Sequence, residues 1–132
     1  MSTTANLKIL KPEAGWHQVV APLNAGVDDL DASLSGILTL SVAGSANVTL
    51  TRTQALRRVM KFTGVLTGNI TIFMPVSLGT ARDPLIWNAT TGAFTLTIKT
   101  TTGGSAGVAI TQGKKVFIGH DGTDVWKATT EV

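Results

Sequence analysis

The sequence predicts an all-β domain, a single-domain antiparallel β-sandwich or jelly roll, and three observations predict it. Of 132 residues, 21 are threonine and 14 glycine. Threonine fits a pleated, half-exposed surface, and glycine turns the chain between strands. Second, short runs alternate apolar and polar residues with period two, most cleanly across Ala93–Lys99. Phe94, Leu96 and Ile98 are there expected inside, with Thr95, Thr97 and Lys99 outside. Third, Gly, Pro, Asn and Asp clusters separate these runs at the roughly 8–12-residue spacing of sandwiches and jelly rolls.

Residues 1–34 are the least regular and read as an N-terminal arm or short strands, with the β-sandwich over 35–132. Leu7–Leu10 and Trp16–Val20 are short strand candidates, and Asn24–Asp31 reads as a loop because of Asn24, Gly26 and three aspartates. Beyond Ser35 the strands sharpen. Gly36–Val42 precedes a turn at Gly44-Ser45-Ala46, and in Asn47–Thr51 the residues Val48 and Leu50 share one face. Thr53–Arg58 has the best helix preference and reads as a single helical turn or a strand lead-in. Val59–Thr63 and Asn69–Met74 are strands, the second ended by Pro75, which lacks an amide donor. Leu85–Trp87, Val108–Ile110 and Lys114–Gly119 complete the set. Around His120-Asp121-Gly122-Thr123, Val116–Ile118 and Asp124–Trp126 form the clearest hairpin, since Asp-Gly supplies positive φ. Thr67–Phe73 aligns with Thr91–Thr97, and two similar hairpins in one sandwich explain that pair more simply than a solenoid.

Composition excludes several function classes. There is no cysteine, hence no disulfide framework or thiolate metal site. Charged residues make up 14% and net charge is +3, so Arg52, Arg57, Arg58 and Lys61 read as a solvated face, not a nucleic-acid stripe. Met1–Asn6 has neither basic nor apolar signal-peptide regions, and no apolar run approaches a membrane span. His17 and His120 are the only histidines; His120 and Asp121 are expected to face water in their turn, and no nucleophile–base set emerges. Asp28-Asp29-Leu30-Asp31 lacks EF-hand spacing and reads as a solvated turn. Gly103–Gly107 lacks the Lys-Ser/Thr of a phosphate loop. Asn-X-Thr triplets at Asn47, Asn69 and Asn88 are expected by chance in so threonine-rich a chain. Trp16, Trp87 and Trp126 read as core or subunit-interface residues in preference to a sugar-stacking platform. No catalytic residue, metal or cofactor is expected, and the chain is read as not an enzyme.

Asn47–Thr51, Phe62–Thr67, Ile70–Ile72, Asn88–Thr97, Gln112-Gly113 and His120–Thr123, in that order, resemble a β-module of tailed-bacteriophage structural proteins, of head-decoration and tail-fibre type. The resemblance covers about residues 47–126 and implies an oligomeric virion component without catalytic residues. Long fibre shafts carry heptads, collagen-like triplets or repeated β-segments, and the sequence reads as lacking all three. The expectation is therefore a capsid decoration (cement) protein, a homotrimer or homodimer on the capsid surface that bridges major capsid protein subunits, with neither nucleic acid nor membrane as partner. Trp16, Val19 and Leu23 are the expected anchors, with Arg57 and Arg58 at a polar rim. The alternative is a tail-fibre or tail-tip module that binds host surface glycans.

Overall fold

The computed structural model of the chain describes residues 2–8, 10–11, 20–75, 82–101 and 106–132. Helix α1 (Val20–Ser35) leads through Gly36 into β1 (Ile37–Ser41) and β2 (Val48–Thr49). After the short helix α2 (Arg52–Ala55) come β3 (Val59–Val65), β4 (Ile70–Met74), β5 (Leu85–Thr91) and β6 (Leu96–Thr100). The chain finishes with β7 (Val108–Ile110), β8 (Lys115–His120) and β9 (Val125–Lys127).

The fold is mostly β, in two mixed, open sheets. One has the order β1-β3-β5-β8-β9 and the other β2-β4-β6-β7. Odd and even strands of the first six fall in different sheets, so the chain winds from one sheet to the other and back. Each revolution lays a new strand in parallel beside the one before. Ile37 pairs with Val59 and Val59 with Leu85; in the other sheet Val48 pairs with Ile72 and Ile72 with Ile98. The antiparallel expectation therefore fails for the body of the domain. Antiparallel pairing is confined to β5–β8, β6–β7 and β8–β9. The internal repeat marks successive coils, where two hairpins were expected.

Backbone bonding continues between coils at the corners: Val42 N–H donates to Thr63 O, Gly44 N–H to Val65 O and Leu66 N–H to Thr91 O. Two of the Asn-X-Thr triplets have a structural role here. Asn47 Oδ1 accepts the Thr71 amide at 2.8 Å, and Asn69 Oδ1 accepts the Thr95 amide at 2.9 Å. Each asparagine thus ties the entry of an even strand to the coil after it. The third, Asn88, is fully buried: Nδ2 donates to Ile110 O at 2.7 Å, and Oδ1 accepts from both the amide and hydroxyl of Thr90. A buried amide with its main hydrogen-bonding groups met specifies strand pairing without a large desolvation cost.

Both sheets share one core: Met60, Phe62, Ile86, Val116 and Ile118 face Ile70, Ile72, Met74, Leu96, Ile98, Val108 and Ile110. Each such buried side chain contributes about 1.5–3 kcal/mol. The strands expected at β3 and β4 are seen, as are the inward Leu96 and Ile98 of β6, a turn of helix at α2 and the Asp121-Gly122 hairpin with Gly122 at φ 91°. Thr51 and Gln54 close a capping box on α2. Phe94 departs from expectation: it precedes β6 and is 39% exposed.

The N-terminal region departs furthest from expectation. The segment read as the Asn24–Asp31 loop is the middle of α1, and among the described residues of Leu7–Leu10, Leu10 makes an isolated bridge to Thr3. Val20 opens α1; the rest of the Trp16–Val20 strand candidate lies outside the described residues. Gly36 ends the helix because a β-carbon there would lie 2.5 Å from Ala32 O and 2.9 Å from Arg57 Cδ.

Coil stacking rests on such close approaches. Gly92 has φ 99°, and a β-carbon on it would lie 2.4 Å from Leu66 O, a backbone atom of the preceding coil. Gly92→Ala is expected to destabilise by about 1–3 kcal/mol. Gly26→Ala, in open space within α1, is expected to stabilise by about 0.4–1 kcal/mol. Urea unfolding of the two variants checks the opposite signs.

Candidate interaction surfaces

Groups able to do acid–base chemistry are scattered. His120 was expected in water but is fully buried on β8, where Nδ1 accepts the Gly122 amide at 3.2 Å. Burial lowers its pKa, the nearby Arg82 cation lowers it further, and Asp121 opposes both. The imidazole is a neutral framework group. The three aspartates of α1 point to different partners: Asp28 to Lys11 Nζ at 2.7 Å, Asp29 to Arg52 Nη1 at 2.8 Å, and Asp31 to the N-terminal segment. Among the described residues no group of His, Cys, Asp or Glu side chains has the arrangement of a metal site. A hollow of about 390 Å³ beside Phe94 and Gln112 is lined entirely by side chains that do not ionise.

Asp31 fastens residues 4–7 onto the helix. Its carboxylate accepts from the Thr4 hydroxyl at 3.0 Å, the Asn6 amide at 3.0 Å, the Asn6 side chain at 2.7 Å and the Leu7 amide at 2.6 Å. Burial acts to raise its pKa, but these donors overcome it and hold the group below its usual range. Arg82 ties the helix to the β-body, donating to Ser33 Oγ at 3.1 Å and Leu56 O at 2.6 Å. On the side of α1 turned away from these contacts, Leu23, Leu30 and Leu34 are 46, 53 and 56% exposed, and Ile37 just beyond is 65% exposed.

The outer face of the five-stranded sheet carries two rows. Strand register sets Ile37, Val59, Leu85 and Phe117 side by side, and Thr39, Lys61, Trp87 and Lys115 next to them. Lys61 and Lys115 reach the Trp87 ring from the strands on either side, 4.1 and 4.4 Å from its centroid. Trp126, 46% exposed, lies against Gly119, where a β-carbon would sit 2.6 Å from the indole. Neither tryptophan is a core residue, so of the expectation only a place at a subunit interface is left for them. The first coil forms the other notable surface. Among the described residues β1 and β2 are sheet edges with no strand beyond them, and Leu38, Leu40 and Val48 are only partly buried there.

Comparison with known proteins adds no relative. No protein family model, curated protein or solved structure matches the chain.

The expected anchors divide. Trp16 and Val19 lie outside the described residues. Leu23 is on the exposed side of α1. Arg57 is half-buried with its stem against Gly36, and Arg58 is exposed, 3.7 Å from Asp83. Arg57 packs at the α1–β1 junction, Arg58 is exposed beside Asp83, and the Arg52–Lys61 cluster is partly paired within the chain. Leu30, Leu34 and Ile37 were missed. Their signal was present as apolar residues three and four apart, hidden by the aspartates between them.

The clasped carboxylate and the buried imidazole each have a measurable consequence. Asp31→Ala is expected to speed amide exchange at Asn6 and Leu7 on the order of tenfold or more, read by hydrogen exchange. The folded-state pKa of His120 lies below its unfolded value of 6.5, so its stability contribution is complete above that value and falls as pH drops beneath it. Between pH 7.5 and 5.5, stability is expected to decline with a slope of up to about 1.4 kcal/mol per pH unit. His120→Phe flattens that decline in denaturant titrations.

Proposed function

We propose that the chain is a structural, non-catalytic component of a tailed-phage virion, attached to neighbouring virion proteins through its first-coil end. The observation that carries this reading is the open first coil: two unpaired strand edges and the half-covered Leu38, Leu40 and Val48, beside the exposed Leu30, Leu34 and Ile37. Exposed strand edges and contiguous apolar surface are what a docking face offers. The phage-module resemblance supports the same reading. Asn47, Asn69, Asn88 and Gly92 lie where one coil meets the next strands, which is how a shared framework leaves its surfaces free to vary.

Two placements follow from that resemblance. One is capsid decoration, with the first-coil end set between major capsid protein subunits. The objection to a fibre was the lack of heptads and repeated β-segments. The 3–4 spacing of leucines on α1 and the stacked parallel coils remove it, so the tail-fibre or tail-tip placement has the better support. Trp126 adds to it. Its ring rests on Gly119 and is partly open to solvent, a geometry suited to stacking on a sugar, whereas Trp87 is engaged by two lysines.

Purified protein added to phage heads and to tails that lack it is expected to bind saturably to tails, read by co-sedimentation and cryo-electron microscopy. Occupancy of the head lattice would give the decoration placement instead. Binding to neither particle would overturn the virion reading.

A further inference from the structure

We propose that the exposed stripe of α1 is a self-association seam, on which the α1 helix of a second copy of this chain packs in parallel as a short coiled coil. Leu23, Val27, Leu30 and Leu34 follow one another at intervals of four, three and four residues. That alternation is the seam spacing of a left-handed coiled coil, and an identical helix is its natural complement because each apolar knob meets a hole of the same pattern. The inference rests on the helix alone and stands whether or not the chain belongs to a virion.

Charge singles out this occupant. A stripe that pairs with its own copy must not carry unscreened like charge along its flanks, since like charges facing each other oppose association. The residues beside this stripe are Asn24, Gly26, Asp31 and Ser33. The one acid among them, Asp31, is turned into the Thr4–Leu7 clasp, where four donors surround it. The other two acids of the helix are bound to Lys11 and Arg52. Asp28 and Asp29 are thus ion-paired within the chain, and Asp31, which stays ionised among neutral donors, is the single charge on the flanks and faces no like charge across a parallel seam.

The helix also needs such a partner. At 16 residues α1 is about 24 Å long, and helices of that length are marginal in water without packing. Gly26 weakens it further by roughly 1 kcal/mol. The groups that bind it to its own chain are polar ones along one side, while the leucines of the opposite side remain open to solvent. Parallel alignment places the two first coils together and lets Ile37, directly after the helix, extend the buried row onto β1.

The chain has no cysteine, which permits a direct test. Leu30→Cys in the full chain is expected to give a disulfide-linked dimer under mild oxidation, because parallel pairing sets identical seam positions side by side. Ala25→Cys, about half a turn from the stripe, is expected not to. Sedimentation velocity at micromolar concentration is expected to show the unmodified chain assembled. Leu30→Glu is expected to weaken assembly at least on the order of 100-fold, with the far-ultraviolet β spectrum kept because Leu30 is outside the core. A monomeric unmodified chain, equal cross-linking of the Ala25→Cys and Leu30→Cys variants, or full assembly of Leu30→Glu would each overturn the seam.

Discussion

The fold depends on one constraint: successive coils must approach closely enough for the backbone of one to bond the next around its corners as well as along its strands. Parallel strands are joined only through long crossovers, and here each crossover is itself a strand of the opposite sheet. A revolution therefore builds both sheets at once. The requirement explains the residues at the bends. Gly64, Gly68 and Gly92 sit where a β-carbon would lie 2.9, 2.7 and 2.4 Å from Ala43, Ser45 and Leu66. Asn47 and Asn69 bond the amides that a bending chain leaves facing the next coil. The framework is written at the corners more than in the strands.

That distribution explains what was legible in the sequence. Strand positions at β3, β4 and β8, and the inward Leu96 and Ile98 of β6, were readable because alternation depends only on the pleat. Parallel and antiparallel neighbours were not distinguishable, because both present the same period. The repeat shows why the faces still came out correctly. Aligning Thr67–Phe73 with Thr91–Thr97 sets Ile72 opposite Leu96, whereas in space Ile70 is opposite Leu96 and Ile72 opposite Ile98. The alignment is two residues from the true register, and a slip of two leaves every side chain on its own face where a slip of one would reverse them all. Phe94, just before β6, is where extrapolating the alternation failed.

The α1 region was misread for a different reason. Asp28, Asp29 and Asp31 lower local helix preference and resemble a turn, yet each is engaged by a group distant in sequence: Lys11, Arg52 and the Thr4–Leu7 backbone. Tertiary contacts supply what local preference lacks. His120 was misplaced likewise. Its position beside Asp-Gly suggested a solvated turn, but it is the last residue of β8 and bridges to Arg82 across the sheet edge, which draws its ring inside. Of the described residues expected to bind a partner, Leu23 alone is on the apolar side of α1, since residue type indicates stickiness and only the helix defines a stripe.

The two ends of the coil stack are not equivalent. At one end β7 and β8 turn back antiparallel on β6 and β5, Asn88 spans from β5 to Ile110, and Val132 exchanges backbone bonds with Lys115. The winding is closed off there by short strands and a terminal segment, the usual means of blunting an edge. At the other end the five-residue β1 and the two-residue β2 end the sheets, the core side chains behind them are half-covered, and α1 extends from the same place. Asn88 and the terminal segment rigidify the closed end, while half-covered core residues and the exposed leucines of α1 mark the open one. A body finished at one end and open at the other has a direction, so contacts that complete its core belong at the first coil, and the faces beside Trp126 are left for whatever lies farther out.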